Sequence, residues 1–180
     1  MISLSSFKNF AEETDIEYYV LTPSMLGQFI RNRTWGIQAY YRKLYGKEIP
    51  KTHEMEEGER LHEKFGYVNK KKFCKKFKIA PNIIVELRGK PDKIDENGRP
   101  WEAKTVSGFY VSPDKFKAAK VQLLCYLFLM DKDYGFLDFI SRETGKQLES
   151  YRTVVFRNDT YLMTVIKDFI DVLKKQKQLV

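Results

Sequence analysis

Apolar positions along this chain fall into separable periodic stretches. After Thr22-Pro23, Leu26, Phe29 and Ile30 recur at three- and four-residue spacing and predict a helix. Thr22 suits its cap, and Pro23 suits the first turn, where a missing N–H costs nothing. Trp35, Tyr40 and Tyr41 predict a second helical segment. A third is expected from about Thr52 to Phe65, mostly charged and anchored by Met55, Leu61 and Phe65. From Phe73 to Asp95 the texture changes: Phe77, Ile79, Ile83, Ile84, Val85 and Leu87 read as strands of a meander, broken at Pro81-Asn82 and Gly89. Asp95-Glu96-Asn97-Gly98 predicts a hairpin turn, with Arg99 to Val106 as the returning arm. Ser112-Pro113-Asp114 opens a helix expected to reach about Met130, with Leu123, Leu127 and Met130 as its buried stripe. Phe136 to Ile140 and Tyr151 to Phe156 read as strands around the Glu143-Thr144-Gly145 turn. Asn158 or Asp159 can cap a last helix carrying Leu162, Val165, Ile166, Phe169 and Leu173.

Helices, a meander, a helix, more strand and a final helix make an α/β protein rather than a strictly alternating one. At 180 residues, with no internal repeat and no Gly/Ser linker, one domain is the simplest reading: a helical part over about 1–66, a core over about 67–157 and a C-terminal helix over about 158–178. An apolar content of 43% is enough for a core without disulfides or a structural metal. Cys74 and Cys125 lie far apart with no CxxC or Cys/His spacing, which argues against a zinc site and suits a reducing cytoplasm. No apolar run reaches membrane-spanning length, and the first residues lack the charged and apolar regions of a signal peptide, so no membrane association is expected. The net charge of +8 favours polyanionic partners.

The segment from Gly89 to Lys104 carries the chemistry. It reads as a hairpin with Asp92 on one arm and Glu102-Ala103-Lys104 on the other. Strand side chains alternate, so Glu102 and Lys104 share a face that Asp92 can reach across the pair. Two carboxylates suit Mg²⁺ or Mn²⁺, which favour oxygen ligands. An adjacent lysine can orient or deprotonate water, or stabilise charge developing on a phosphate. A surface hairpin with a Glu–Lys salt bridge explains this triplet equally well. Two further elements shift the balance. Gly58 stands one helical turn before His62, and Gln122 stands one turn before Tyr126.

Taken together, Gly58-x-x-x-His62, Pro91-Asp92, Glu102-x-Lys104 and Gln122-x-x-x-Tyr126 resemble the RecB-type branch of the PD-(D/E)XK nucleases, in that family's order and spacing. The resemblance spans about Thr22 to Phe139, since Leu21-Thr-Pro-Ser-Met-Leu26 is also similar to the branch's first helix. It implies a restriction-endonuclease-like core, a central mixed β-sheet flanked by α-helices. It also implies that Asp92, Glu102, the Ala103 carbonyl and His62 hold the metal, that Lys104 is the catalytic lysine, and that Gln122 and Tyr126 support the site, Gln122 through Lys104 or a phosphate. One departure is clear. The iron–sulfur cysteines of many small members are missing: the first region reads Ile30-Arg-Asn-Arg-Thr-Trp35, and no cysteine follows Cys125. The chain is therefore expected to carry no iron–sulfur cluster and to resemble cluster-free nucleases of phages, viruses and mobile elements, working in the cytoplasm, a host's if the source is viral.

Candidate DNA contacts are Lys70, Lys71, Lys72, Lys75 and Lys76 in the run from Asn69 to Lys78, with Arg31, Arg33, Lys115 and Lys120. The same lysine run also suits a solvated edge strand whose Phe73 and Phe77 face the core. The leading expectation is a metal-dependent DNase acting as an exonuclease on ends or single strands, with little sequence preference. A structure-selective endonuclease and a catalytically inactive DNA-binding scaffold are the alternatives. A homo-oligomer, a helicase or recombination partner and a lone monomer are all compatible with the sequence.

Overall fold

The computed structural model of the chain describes residues 16–177, with side chains to residue 176. The N-terminal stretch assessed for a targeting signal lies outside the described residues. The elements are β1 (Glu17–Leu21), α1 (Pro23–Arg31), α2 (Arg33–Leu44), α3 (His53–Lys64), β2 (Phe73–Ala80), β3 (Ile83–Gly89), β4 (Lys93–Ile94), β5 (Pro100–Val106), α4 (Pro113–Met130), β6 (Tyr134–Ser141), β7 (Lys146–Gln147), a 3₁₀ turn (Glu149–Tyr151), β8 (Thr153–Phe156) and α5 (Asp159–Lys177). Side-chain caps set the helix starts. Thr22, Asn32, Thr52 and Ser112 each accept from a backbone N–H three residues on, and Asn158 does the same for Tyr161 at the head of α5.

The strands form two mixed sheets flanked by helices, an α/β architecture as expected. In the first sheet, ordered β1-β3-β2, β1 runs parallel to β3 and β2 antiparallel to it. In the second, β4-β5-β6-β7 form the path and β8 also pairs with β6. Its centre is a parallel pair, Trp101↔Phe136 through Val106↔Ser141, whose strands are joined by the α4 crossover. From Val121 to Phe128 helix α4 is buried on every side because it lies between two cores. Val121, Cys125 and Phe128 join a cluster made by the first sheet, α1, α2 and α5, where Phe29 and Phe169 meet edge-on at 5.0 Å. Ala119, Leu123, Leu124 and Leu127 join a second cluster with Leu137 and Phe139 of β6.

Three expectations change. Strand β1 was not anticipated; it is only five residues long, and its partner β3 is more than sixty residues away. The meander is not continuous, since the chain leaves the first sheet at Gly89 and enters the second at Lys93. Between them Pro91 has no N–H to offer a ladder, and the carbonyls of Pro91 and Asp92 accept instead from the Asn69 side chain (3.0 Å) and backbone (2.9 Å). The buried stripe expected on α4 is too narrow: ten residues from Ala118 to Phe128 are buried all round the helix, while Met130 is only half-buried.

Candidate active site

Alternation along β5 separates structure from chemistry. Ala103 packs against Leu61 and Tyr67 on the α3 side, and Thr105 faces Gly58 of α3. Glu102, Lys104 and Val106 point the other way, toward α4. Asp92 enters from the break between the sheets. Its backbone N–H donates to the Trp101 carbonyl at 3.1 Å, fixing it beside β5, and its Oδ2 accepts the Ala103 N–H at 2.8 Å. Its other oxygen, Oδ1, lies 3.9 Å from His62 Nδ1 on α3. The hairpin expected from Asn97-Gly98 is present, with Lys93 opposite Trp101, and it brings both carboxylates to one place.

Glu102 is 1% exposed. Its Oε1 lies 2.5 Å from Lys104 Nζ, while its Oε2 is buried with no hydrogen-bond partner. Burial, reinforced by the Asp92 charge and opposed by Lys104, pushes the Glu102 carboxyl up to about 8. Burial pulls the Lys104 ammonium down, but the carboxylates of Glu102 and Asp92 outweigh it and leave its pKa above the usual lysine value. Lys104 is thus a held cation, and Gln122 Oε1 accepts from its Nζ at 2.9 Å. Burial lowers the pKa of His62, against the pull of Asp92, so its imidazole is neutral and fit to ligate.

Helix α4 supplies Gln122 and Tyr126 from one face, both buried. Two glycines that sequence reasoning missed make room for them. A Cβ on Gly27 of α1 would stand 2.5 Å from Gln122 Nε2, and one on Gly89 would stand 2.8 Å from Tyr126 Cε1. Both clashes involve residues distant in sequence, so neither spacing nor composition could reveal them.

Among the described residues, no three His, Cys, Asp or Glu side chains form a ready-made metal cage. The donors at hand nevertheless fit a hard divalent cation. The buried Oε2 of Glu102 has no donor facing it among the described residues, and its carboxyl, raised in pKa by burial and then by the Asp92 charge, is one that a cation would return to its ionised form. Such a cation needs few protein ligands when water and substrate fill the rest.

The proposed nucleic-acid contacts divide. Lys70, Lys71 and Lys72 are exposed and follow Asn69, which is bonded to Asp92. Lys75 lies over the Phe128 ring at 4.3 Å, and Lys76 is 3.7 Å from Glu86. Phe77 packs on Phe128, and β2 is an edge strand. Arg33 is paired with Asp168 at 2.8 Å. Lys120 lines a separate groove of about 490 Å³ with Phe116, Phe156 and Tyr161. Lys115 and Arg31 stand beside the site, with Lys115 Nζ donating to the Thr105 carbonyl at 3.1 Å. Among the described residues, no helix is long and apolar enough to cross a membrane.

No family model and no curated protein matches this chain. Among solved structures, SSO0001 is similar over 85% of this chain and 75% of its own, with a TM-score of 0.61 at 15% identity. Two structures of Scheffersomyces stipitis Rai1, one in complex with (3'-NADP)+ and calcium ion, give TM-scores of 0.43 and 0.45 at 12% and 14% identity. This chain covers 61% and 60% of those two chains. The likeness to SSO0001 is one of fold: mixed β-sheets flanked by helices, as in a restriction-endonuclease-like core.

Proposed function

We propose that this chain is a metal-dependent DNA nuclease similar to the RecB-type PD-(D/E)XK enzymes, hydrolysing phosphodiester bonds as an exonuclease on ends or single strands. The observation that carries the reading is the buried Glu102, with one oxygen on Lys104 and the other unpartnered, beside Asp92. A salt-bridged surface hairpin has no reason to bury a carboxylate in that state.

Mg²⁺ or Mn²⁺ held by Asp92 and Glu102, with His62 and the Ala103 carbonyl as further donors, would supply positive charge at the phosphate and acidify a nearby water. The protein's own groups do the rest. The Lys104 ammonium stands ready to stabilise negative charge on a phosphoryl oxygen, and Gln122 holds it in place. The Ala103 N–H fixes one Asp92 oxygen and leaves the other toward His62. Tyr126 walls the α4 side of the site, excluding water from the Glu102 carboxyl.

The test is cleavage of end-labelled linear single- and double-stranded DNA beside covalently closed circles, in Mg²⁺, Mn²⁺ or EDTA. Cutting that needs metal and spares circles is expected, with Lys104→Ala reducing the rate by about 10²–10³-fold or more. Cutting of circles would point to the endonuclease alternative. DNA binding with no cutting in any condition would leave the scaffold reading.

A further inference from the structure

Two clefts flank the segment that carries Asp92, one reached through Gly89 and Lys90 and the other through His62. On the second-sheet side, α3 and β5 enclose about 400 Å³ lined by Glu54, Gly58, His62, Lys104 and Arg142, among others. On the first-sheet side, a cleft of about 410 Å³ is lined by Lys43, Lys72, Arg88 and Lys90, with Gly89, two residues before Pro91, also in its lining. No carboxylate among the described residues lines the first-sheet cleft. Glu54 and Glu59 line the second beside Lys104 and Arg142, but Lys115 at its border is surrounded by Arg31, Arg142 and Lys104 with Glu54 as the acid set against them. Among the described residues, Lys43, Lys72, Lys90 and Lys115 make no ion pair within 4 Å, whereas Arg88 is paired with Glu86. Loss of solvent, then the charges of Arg31 and Arg142, pushes the Lys115 ammonium below its ordinary pKa. Loss of solvent, then Arg88 and Lys72, does the same to Lys43. Cations assembled against their own repulsion favour a polyanion that relieves it.

We propose that these clefts are phosphate-binding subsites on either side of the scissile position, so that one nucleic-acid strand is held at both Lys43–Lys72–Lys90 and Lys115–Arg142 while its middle lies over Asp92 and Glu102. This rests on the nuclease reading for the position of the scissile phosphate. The second cleft also carries its own latch. The Arg142 side chain is 17% exposed, and its ion partner is Glu54, 72% exposed, at 3.6 Å. That loose contact is one a phosphate can replace, with Glu54 turning out to solvent from the first turn of α3.

Binding of fluorescein-labelled single-stranded DNA and RNA, measured by anisotropy in EDTA across a salt series, tests this without requiring cleavage. Lys43→Ala and Lys115→Ala are each expected to weaken Kd about tenfold and to lower the log Kd–log salt slope by about one. Lys115→Arg, which keeps the charge, should retain most of the affinity and so separates lost charge from lost fold. Glu54→Ala should tighten binding, and by more in the wild-type background than in Arg142→Ala. Unchanged Kd and slope in both lysine variants, on either nucleic acid, would overturn the proposal. If those losses appear in a protein that cuts nothing, the subsites stand and the nuclease reading falls. Cleavage with unchanged binding overturns the subsites alone.

Discussion

The electrostatic state of Glu102 shows how much of the site is decided by single residues. Spacing alone placed Asp92, Glu102 and Lys104 on one face, and the structure brings them together. What spacing could not give is that Glu102 is buried and one of its oxygens has no donor, because burial depends on α4 lying across β5. That burial has a consequence for stability in the absence of metal. Folded Glu102 keeps its proton up to about 8, whereas the unfolded side chain releases it near the ordinary 4.5. Between those values the folded state binds more protons than the unfolded one, so this group makes stability fall as pH rises through the window. Burial also holds the His62 pKa below its ordinary value, and that group acts in the opposite sense, adding stability as pH climbs toward 6.5. In EDTA, the Tm of Glu102→Gln minus that of wild type should therefore grow from about pH 5 to about pH 8, the His62 contribution being common to both. A difference that stays constant across this range would mean that Glu102 is ionised in the folded protein.

At the scale of elements, the helices were legible and the seams were not. Caps at Thr22, Thr52, Ser112 and Asn158, with proline in the first turns of α1 and α4, mark helix starts locally, and the structure keeps them. Strand β1, the break at Lys90-Pro91-Asp92 and the all-round burial of α4 depend on partners far along the chain, so no local period reports them. The same holds for the contact between α1 and α4 on which the site depends. Gly27 lets α1 approach α4 closely at Gln122, where a single added carbon would meet Nε2 at 2.5 Å and the Ala118 carbonyl at 3.0 Å. Gly27→Ala gains helix propensity on paper but overpacks this contact, and is expected to cost about 1–3 kcal/mol. Displacing Gln122 would also release Lys104, so cleavage should slow about tenfold or more at temperatures where the variant remains folded. Urea denaturation and kcat measured on the same preparation check both effects. Full activity in a destabilised variant would show that Gln122 does not position Lys104.

At the scale of the whole molecule, two sheets with separate cores raise the question of whether the halves unfold apart. Neither sheet continues the other across the break at Pro91, and the two larger apolar clusters have different members. What binds them is α4, which places Val121, Cys125 and Phe128 in one cluster and Leu123, Leu124 and Leu127 in the other, within little more than two turns. Losing either core strips one side of this helix and exposes apolar surface that the remaining core cannot cover. The two halves should therefore unfold together. The chain carries a natural probe in each half, since its two tryptophans are Trp35 on α2 and Trp101 on β5. In the single-tryptophan variants Trp101→Phe and Trp35→Phe, urea unfolding followed by fluorescence is expected to give midpoints that each coincide with the far-ultraviolet dichroism of the same variant. Distinct fluorescence and dichroism midpoints within one variant would show that α4 does not couple the cores. The hydrogen bond between Lys104 on β5 and Gln122 on α4 would then sit on a boundary that opens before the protein unfolds.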